Sequence, residues 1–184
     1  MRRFISVRIL EILGLFVLAG PLSAQVTGGA DSAVRHDVFS YEAAELVRQA
    51  GEGSHVVVVS GAMDTCLLGK LCAALRENSR VAFALDLSAV SGVFELRKDV
   101  LGGCGNLVSL VIPDGLAHVQ GECFAGCERL AAIDATDGSA YFSSARGILY
   151  DKAGRELVAC PPAWDGTVEI PAAVSSVRGG AFAY

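Results

Sequence analysis

Leu107-Val108-Ser109-Leu110-Val111-Ile112-Pro113 returns 23 residues later as Leu130-Ala131-Ala132-Ile133-Asp134-Ala135, and Cys104 returns as Cys127 at the same offset. Self-similarity with a period in the twenties marks a chain wound into stacked coils, a solenoid, because one such unit is too short to bury its own apolar residues. Val168-Glu169-Ile170-Pro171, followed by Val174, Val177, Ala181 and Phe182, repeats Leu110 to Pro113 with Leu116, Val119, Cys123 and Phe124 at a shift of 58. That shift is two 23-residue units plus an insertion of 12. The insertion reads as a β-hairpin over about 141–161, with Ile148-Leu149-Tyr150 and Leu157-Val158-Ala159 flanking a turn at Asp151-Lys152-Ala153-Gly154. Upstream, Leu85-Asp86-Leu87-Ser88 opens a first, irregular unit that ends at Asn106-Leu107.

Within a unit, Leu110 and Ile112 alternate inward on a short strand, and Pro113 stops it by lacking an N–H. Leu116, Val119 and Phe124 then fill the coil before the next strand. Stacked units pair these strands into a parallel sheet. The expected fold is an α/β solenoid of about four units over 85–184, the last incomplete, behind a helix–strand cap over 39–84. The open last unit is a candidate surface for self-association, since it leaves an apolar layer without cover. In the cap, Ser40 is the expected N-cap of a helix carrying Phe39, Ala43, Leu46, Val47 and Ala50, His55 to Val59 is a buried strand, and Met63 to Leu75 is an amphipathic helix ended by Asn78. Val81 to Leu87 reads as a further strand.

Composition agrees with a folded chain, at 52% hydrophobic and 19% charged residues. Residues 1–24 read as a secretory signal peptide: Arg2, Arg3 and Arg8 precede an apolar stretch from Ile9 to Ala19, then Pro21-Leu22-Ser23-Ala24. A retained anchor is the alternative, although Glu11 interrupts the stretch. Cleavage removes three Arg and one Glu and takes the net charge from −5 to −7. Residues 25–38, rich in Gly, Ala, Ser and Thr, are expected to be a flexible lead-in. An acidic chain with no Lys/Arg block is not expected to bind nucleic acid.

The pattern Leu-x-x-Leu-x-Ile-Pro-x-x-Leu-x-x-Val-x-x-x-Cys-Phe-x-x-Cys-x-x-Leu from Leu107 to Leu130 resembles the BspA-like, or treponemal, leucine-rich repeat. The segment from Tyr141 to Pro161 is similar to the interruption that such proteins carry between repeats. The resemblance spans about residues 55–184 and implies a leucine-rich-repeat fold, export to the periplasm, outer surface or medium, and adhesion to host or matrix proteins or to another envelope protein. Ser88 departs from the pattern where the strand-ending Pro would stand.

No motif calls for a cofactor or a catalytic role. Gly69-Lys70 lacks the remainder of a phosphate loop, and there is no nucleophile elbow or zinc-protease helix. His36, His55 and His118 are isolated in sequence. Cys104, Cys123 and Cys127 sit at repeat positions and read as small apolar core groups, with a disulfide and a metal site as alternatives. The expected chemistry is therefore recognition by a non-enzyme. The candidate partner surface is the outward face of the strands, a mixed polar and acidic set of Asp86, Ser109, Val111, Ala132, Asp134, Thr167 and Glu169. An envelope protein binding a small apolar ligand or lipid, and a truncated structural fragment of a longer repeat protein, are the alternative readings.

Overall fold

The computed structural model describes residues 33–98 and 100–183; residues 1–24, expected to be a signal peptide, and most of the expected lead-in lie outside the described residues. Three strands alternate with two helices at the start: β1 (Val34–Phe39), α1 (Ala43–Gln49), β2 (Ser54–Ala62), α2 (Thr65–Glu77) and β3 (Ala82–Ser91). With β5 (Leu107–Val111) and β7 (Ala132–Asp134) they form a five-stranded sheet in the order β1-β2-β3-β5-β7, every pair parallel. The β-branched run Val56 to Val59 suits a strand inside such a sheet. Asp64 begins α2 by accepting the Leu67 N–H at 2.8 Å. The helix then buries Leu68, Leu71, Cys72 and Leu75 against Phe83, Leu85 and Leu87 in one continuous core.

Two local expectations are corrected. Residues 34–38, expected in the flexible lead-in, pair with His55 to Val59 as β1. Phe39 therefore ends a strand, 56% exposed, instead of joining a helix face. Ser40 does not cap α1, which follows Glu42. Its hydroxyl donates instead to the Ala62 carbonyl and ties β1 to the end of β2.

The sequence period is the pairing register. Ser109, Leu110 and Val111 face Ala132, Ile133 and Asp134, each pair 23 residues apart, and the short strands β4 (Glu95–Leu96) and β6 (His118–Val119) pair at the same offset. The segment expected to be a distinct cap belongs to the same stack with a longer period. Ser54 to Val58 pair with Ala82 to Asp86 at a constant offset of 28, room enough for a helix in each turn.

An asparagine relay follows that longer period. Asn78 at the end of α2 donates through Nδ2 to the carbonyls of Val47 and Ala50 at 2.7 and 3.0 Å. Asn106, 28 residues on, donates to those of Leu75 and Asn78, both at 2.9 Å. Each asparagine thus satisfies carbonyls left open at the end of the preceding helix. Thiols bridge turns in the same direction: Cys104 Sγ donates to the Cys72 carbonyl at 3.7 Å, and Cys127 Sγ to that of Leu101 at 3.2 Å.

The insertion builds a second sheet, ordered β11-β10-β9-β8 from β8 (Phe142–Ala145), β9 (Ile148–Asp151), β10 (Glu156–Ala159) and β11 (Ser176–Val177). β8, β9 and β10 are antiparallel neighbours, and β11 joins β10 in parallel. Arg146 (φ 55°) and Gly147 (φ 78°) form the two-residue β8–β9 turn, both left-handed as a type I′ turn requires. The turn at 151–154 is fixed by Asp151, whose Oδ1 accepts the N–H groups of Arg155 at 2.6 Å and Glu156 at 2.8 Å. These bonds, the Glu156 one foremost, hold its carboxyl below the usual carboxylate range.

Residues 168–170 form no strand, contrary to the repeat alignment: Val168 is half-buried and Ile170 is 50% exposed. The site such a strand would occupy is taken. The Ile133 N–H, on the edge of β7 away from β5, donates to the Gly147 carbonyl of the hairpin at 2.8 Å.

His36 and His55, isolated in sequence, meet across β1 and β2. Their rings stack with centroids 5.2 Å apart, and His36 Nε2 lies 2.9 Å from His55 Nδ1. His55 Nε2 is 3.1 Å from the Gly51 carbonyl, so it carries the proton, Nδ1 is the acceptor, and His36 donates to it. Burial, then the neighbouring His55, lowers the affinity of His36 for a second proton. The unfolded chain therefore binds more protons as pH falls below about 6.5, and stability present above that value is lost below it. We expect amide exchange in β1 to accelerate between pH 7.5 and 5.5 beyond the intrinsic rate change, and His36→Gln to abolish the excess. Asn106→Ala should cost about 1–3 kcal/mol in urea unfolding by leaving two carbonyls unpaired. Asn106→Asp, which turns an acceptor toward them, should cost more.

Candidate functional site

The strand face expected to be an open polar surface is corrected by burial. Asp86, Ser109, Val111, Ala132 and Asp134 are 6, 2, 2, 4 and 9% exposed. Val111 joins Val56, Ala82, Ala84 and Val108 in an apolar cluster separate from the main core. Asp86 turns back on its own chain, accepting the Ser88 N–H at 3.0 Å and hydroxyl at 2.6 Å. Asp134 accepts the Ser144 hydroxyl from β8 at 2.9 Å. The hairpin also closes over Ala132, so tightly that a Cβ on Gly147 would come within 2.8 Å of the Ala132 methyl.

Thr167 and Glu169 are exposed and line a different feature, a cleft of about 330 Å³ between the hairpin and the segment that follows β10. One wall carries Arg146, Ile148 and Tyr150, and the other Trp164, Thr167, Glu169, Ile170 and Pro171. Its base belongs to a small core of Ile148, Tyr150, Leu157, Cys160 and Ala181, against which Trp164 packs. Tyr150 is 5% exposed, and burial raises its phenol above the ordinary value. Trp164 Nε1–H is buried and lacks an acceptor. Arg146 and Glu169 face each other across the mouth at 3.9 Å, both largely exposed, a geometry that adds little to stability and leaves one charge of each sign for a ligand. Aromatic walls and paired rim charges suit recognition of an amphipathic group.

A second cleft, of about 530 Å³, lies beside β6 and is lined by Glu95, Lys98, His118, Gln120, Glu122 and Arg178. It is polar, and Arg178 is already engaged with the Glu156 carboxylate and the Val119 carbonyl. Among the described residues, no group of three or more His, Cys, Asp or Glu is placed to hold a metal ion. None of their helices is long and apolar enough to cross a membrane.

Tyr150, Trp164 and Arg146 were not among the sequence-derived candidates. Trp164, the single tryptophan of the chain, directly after Pro161-Pro162-Ala163, was the available signal. The placing of Tyr150 and Trp164 around one cleft depends on how the hairpin folds back and has no mark in the repeat pattern.

No family model matches the chain, and no curated protein matches it. The structure is similar to the crystal structure, at 2.50 Å resolution, of a leucine-rich repeat protein from Eubacterium ventriosum ATCC 27560. Identity is 18% and the TM-score 0.47, over 69% of this chain and 38% of that one. The present chain thus spans well under half of that protein's length.

Proposed function

We propose that the protein is a non-catalytic leucine-rich-repeat solenoid of the BspA-like kind, exported to the cell envelope or the medium, that binds another protein and acts in adhesion to host or matrix proteins. The observation that carries this reading is the coincidence of the 23-residue sequence period with the 23-residue pairing register in both β5–β7 and β4–β6. Such a stack is a rigid scaffold, and a site grafted on it is held in place by the scaffold's own core. The interruption that breaks the stack forms the cleft of Tyr150, Trp164 and the Arg146–Glu169 pair, and this cleft is assigned as the partner site. The strand-face residues, being buried, serve packing.

The cleft size also suits a small apolar ligand, since small-molecule sites begin at about 300 Å³. Mass spectrometry of the natively purified protein separates the two readings: a co-purifying small molecule favours the ligand, its absence the protein partner.

In binding to a panel of immobilised matrix proteins, Trp164→Ala with Glu169→Lys should weaken the interaction tenfold or more, with the β1–β7 sheet intact by circular dichroism. Unchanged binding would remove the cleft from the interface. Asp86→Lys and Asp134→Lys should instead lower stability by several kcal/mol, since each buries a charge without a partner. For export, amino-terminal sequencing of the protein recovered outside the cytoplasm should begin at Gln25; recovery of an uncut chain in the cytosol would overturn the export reading.

A further inference from the structure

The five-stranded sheet has two edges, and they end differently. At β7 the hairpin accepts the Ile133 N–H through the Gly147 carbonyl and closes the ladder. At the other edge lies β1, and among the described residues no strand pairs with its outer side. Its six residues run in unbroken register with β2, without a proline or a bulge, two of the devices that blunt a sheet edge. The Ser40 N–H donates to the Ser60 carbonyl at 2.9 Å. Alternation along the strand therefore turns the N–H and C=O groups of His36 and Val38 toward β2, and those of Arg35 and Asp37 toward the outer side.

The side chains of this edge stand in a self-complementary order, which is what a two-fold interface requires. Val34-Arg35-His36-Asp37-Val38 runs apolar, positive, histidine, negative, apolar. In an antiparallel copy turned about His36, Arg35 meets Asp37 of the second copy, Asp37 meets its Arg35, and Val34 meets its Val38. Arg35 and Asp37 carry the outward N–H and C=O groups, so these opposite charges fall on the hydrogen-bonded pairs, with Cα atoms about 5.5 Å apart. Within one chain Arg35 Nη2 lies 3.0 Å from Asp37 Oδ1, the two side chains 46 and 70% exposed. A second copy converts that single pair into a closed ring of four alternating charges. Shifting by two residues, the smallest step that keeps the outward groups paired, sets Arg35 on Arg35 or Asp37 on Asp37. Like charges directly opposite are unfavourable, so the register is selected together with the partner. The same register covers Val34, 50% exposed, and sets Phe39, 56% exposed, opposite Ala33.

We propose that β1 is a self-association edge, at which a second copy of this chain pairs antiparallel about His36 and the two parallel sheets join into one. This surface lies at the opposite edge of the sheet from the hairpin, so a dimer formed here leaves the cleft of Tyr150 and Trp164 outside the shared ladder.

Sedimentation equilibrium of the full chain, kept under reductant, should show the mass of two chains at high concentration and of one on dilution. Arg35→Asp and Asp37→Arg each set like charges opposite one another in their own homodimer, and each should raise the dissociation constant about tenfold or more. Both side chains are exposed, so the circular dichroism of the two variants should match that of the unaltered chain. An equimolar mixture of the variants should dimerise again, because each supplies the charges that the other lacks. The double variant Arg35→Asp/Asp37→Arg, which restores opposite pairs in reversed order, should dimerise as the unaltered chain does. In amide exchange, the Arg35 and Asp37 N–H groups should gain protection as concentration rises. A monomer at every concentration up to about 1 mM, or a dimer whose dissociation constant neither single variant changes, would overturn the proposal, the latter by placing self-association on another surface.

Discussion

Carbonyl groups at the end of each turn must find donors in the next one, and the rest of the structure depends on that constraint. A buried carbonyl without a partner costs as much as several well-packed methylenes gain. A coil that closes in 23 or 28 residues leaves such groups wherever a helix or loop gives way to a strand. Asn78 and Asn106 supply two N–H groups each to the turn before, and Cys104 and Cys127 supply weaker S–H groups where the turn tightens. These donors set the spacing of the stack. With the spacing set, Val57, Leu85, Leu110 and Ile133 fall into one layer of the main core. No single turn could bury that layer, so cohesion resides between turns and order must spread from one to the next.

The period shortens from 28 between β2 and β3 to 25 between β3 and β5 and 23 between β5 and β7, and the change has a physical origin. The first two crossovers each contain a helix; those after β3 replace it with two-residue strands and a short 3₁₀ turn over Gly121–Phe124. A helix end exposes several carbonyls at once, which an Asn side chain with its two donors can serve. A 3₁₀ turn closes most of its own bonds, as Cys127 N–H does on the Phe124 carbonyl, and needs only one further donor. The residue 23 positions beyond Asn106 is Arg129, an exposed side chain, so the relay stops where the helices stop.

Much of this was legible in the sequence because it is local or periodic. The Val56–Val59 run, the apolar stripe of α2 and the shift of 23 led directly to strand, helix and register. The longer period was not legible, since its two copies share a few functional atoms, Asn78 and Asn106 among them, and little else. The direction of Asp86, Ser109 and Asp134 followed from alternation with inward leucines, whereas their burial did not. Alternation tells which face a side chain is on; what lies over that face is decided by segments distant in the chain. Over β7 that segment is the hairpin, which reaches Asp134 through Ser144 and Ala132 and Ile133 through Gly147.

The insertion therefore decides where the chain carries its apolar cleft. Because the Gly147 carbonyl accepts the Ile133 N–H at the outer edge of β7, the hairpin ends the parallel sheet and diverts the next apolar segment, Val168 to Ile170, away from it. That segment keeps the composition of a core strand and is left beside Tyr150 and Trp164 instead. Ile170 stands half exposed where Ile112, its repeat counterpart, is sealed. The cleft is the direct result of a repeat whose strand was displaced: its apolar walls come from a stacking pattern, and its rim charges, Arg146 and Glu169, from the turn and the segment that no longer pack. A surface made in this way is concave and seated on a packed base, because Ile148 and Tyr150 belong at once to its wall and to the small core beneath it.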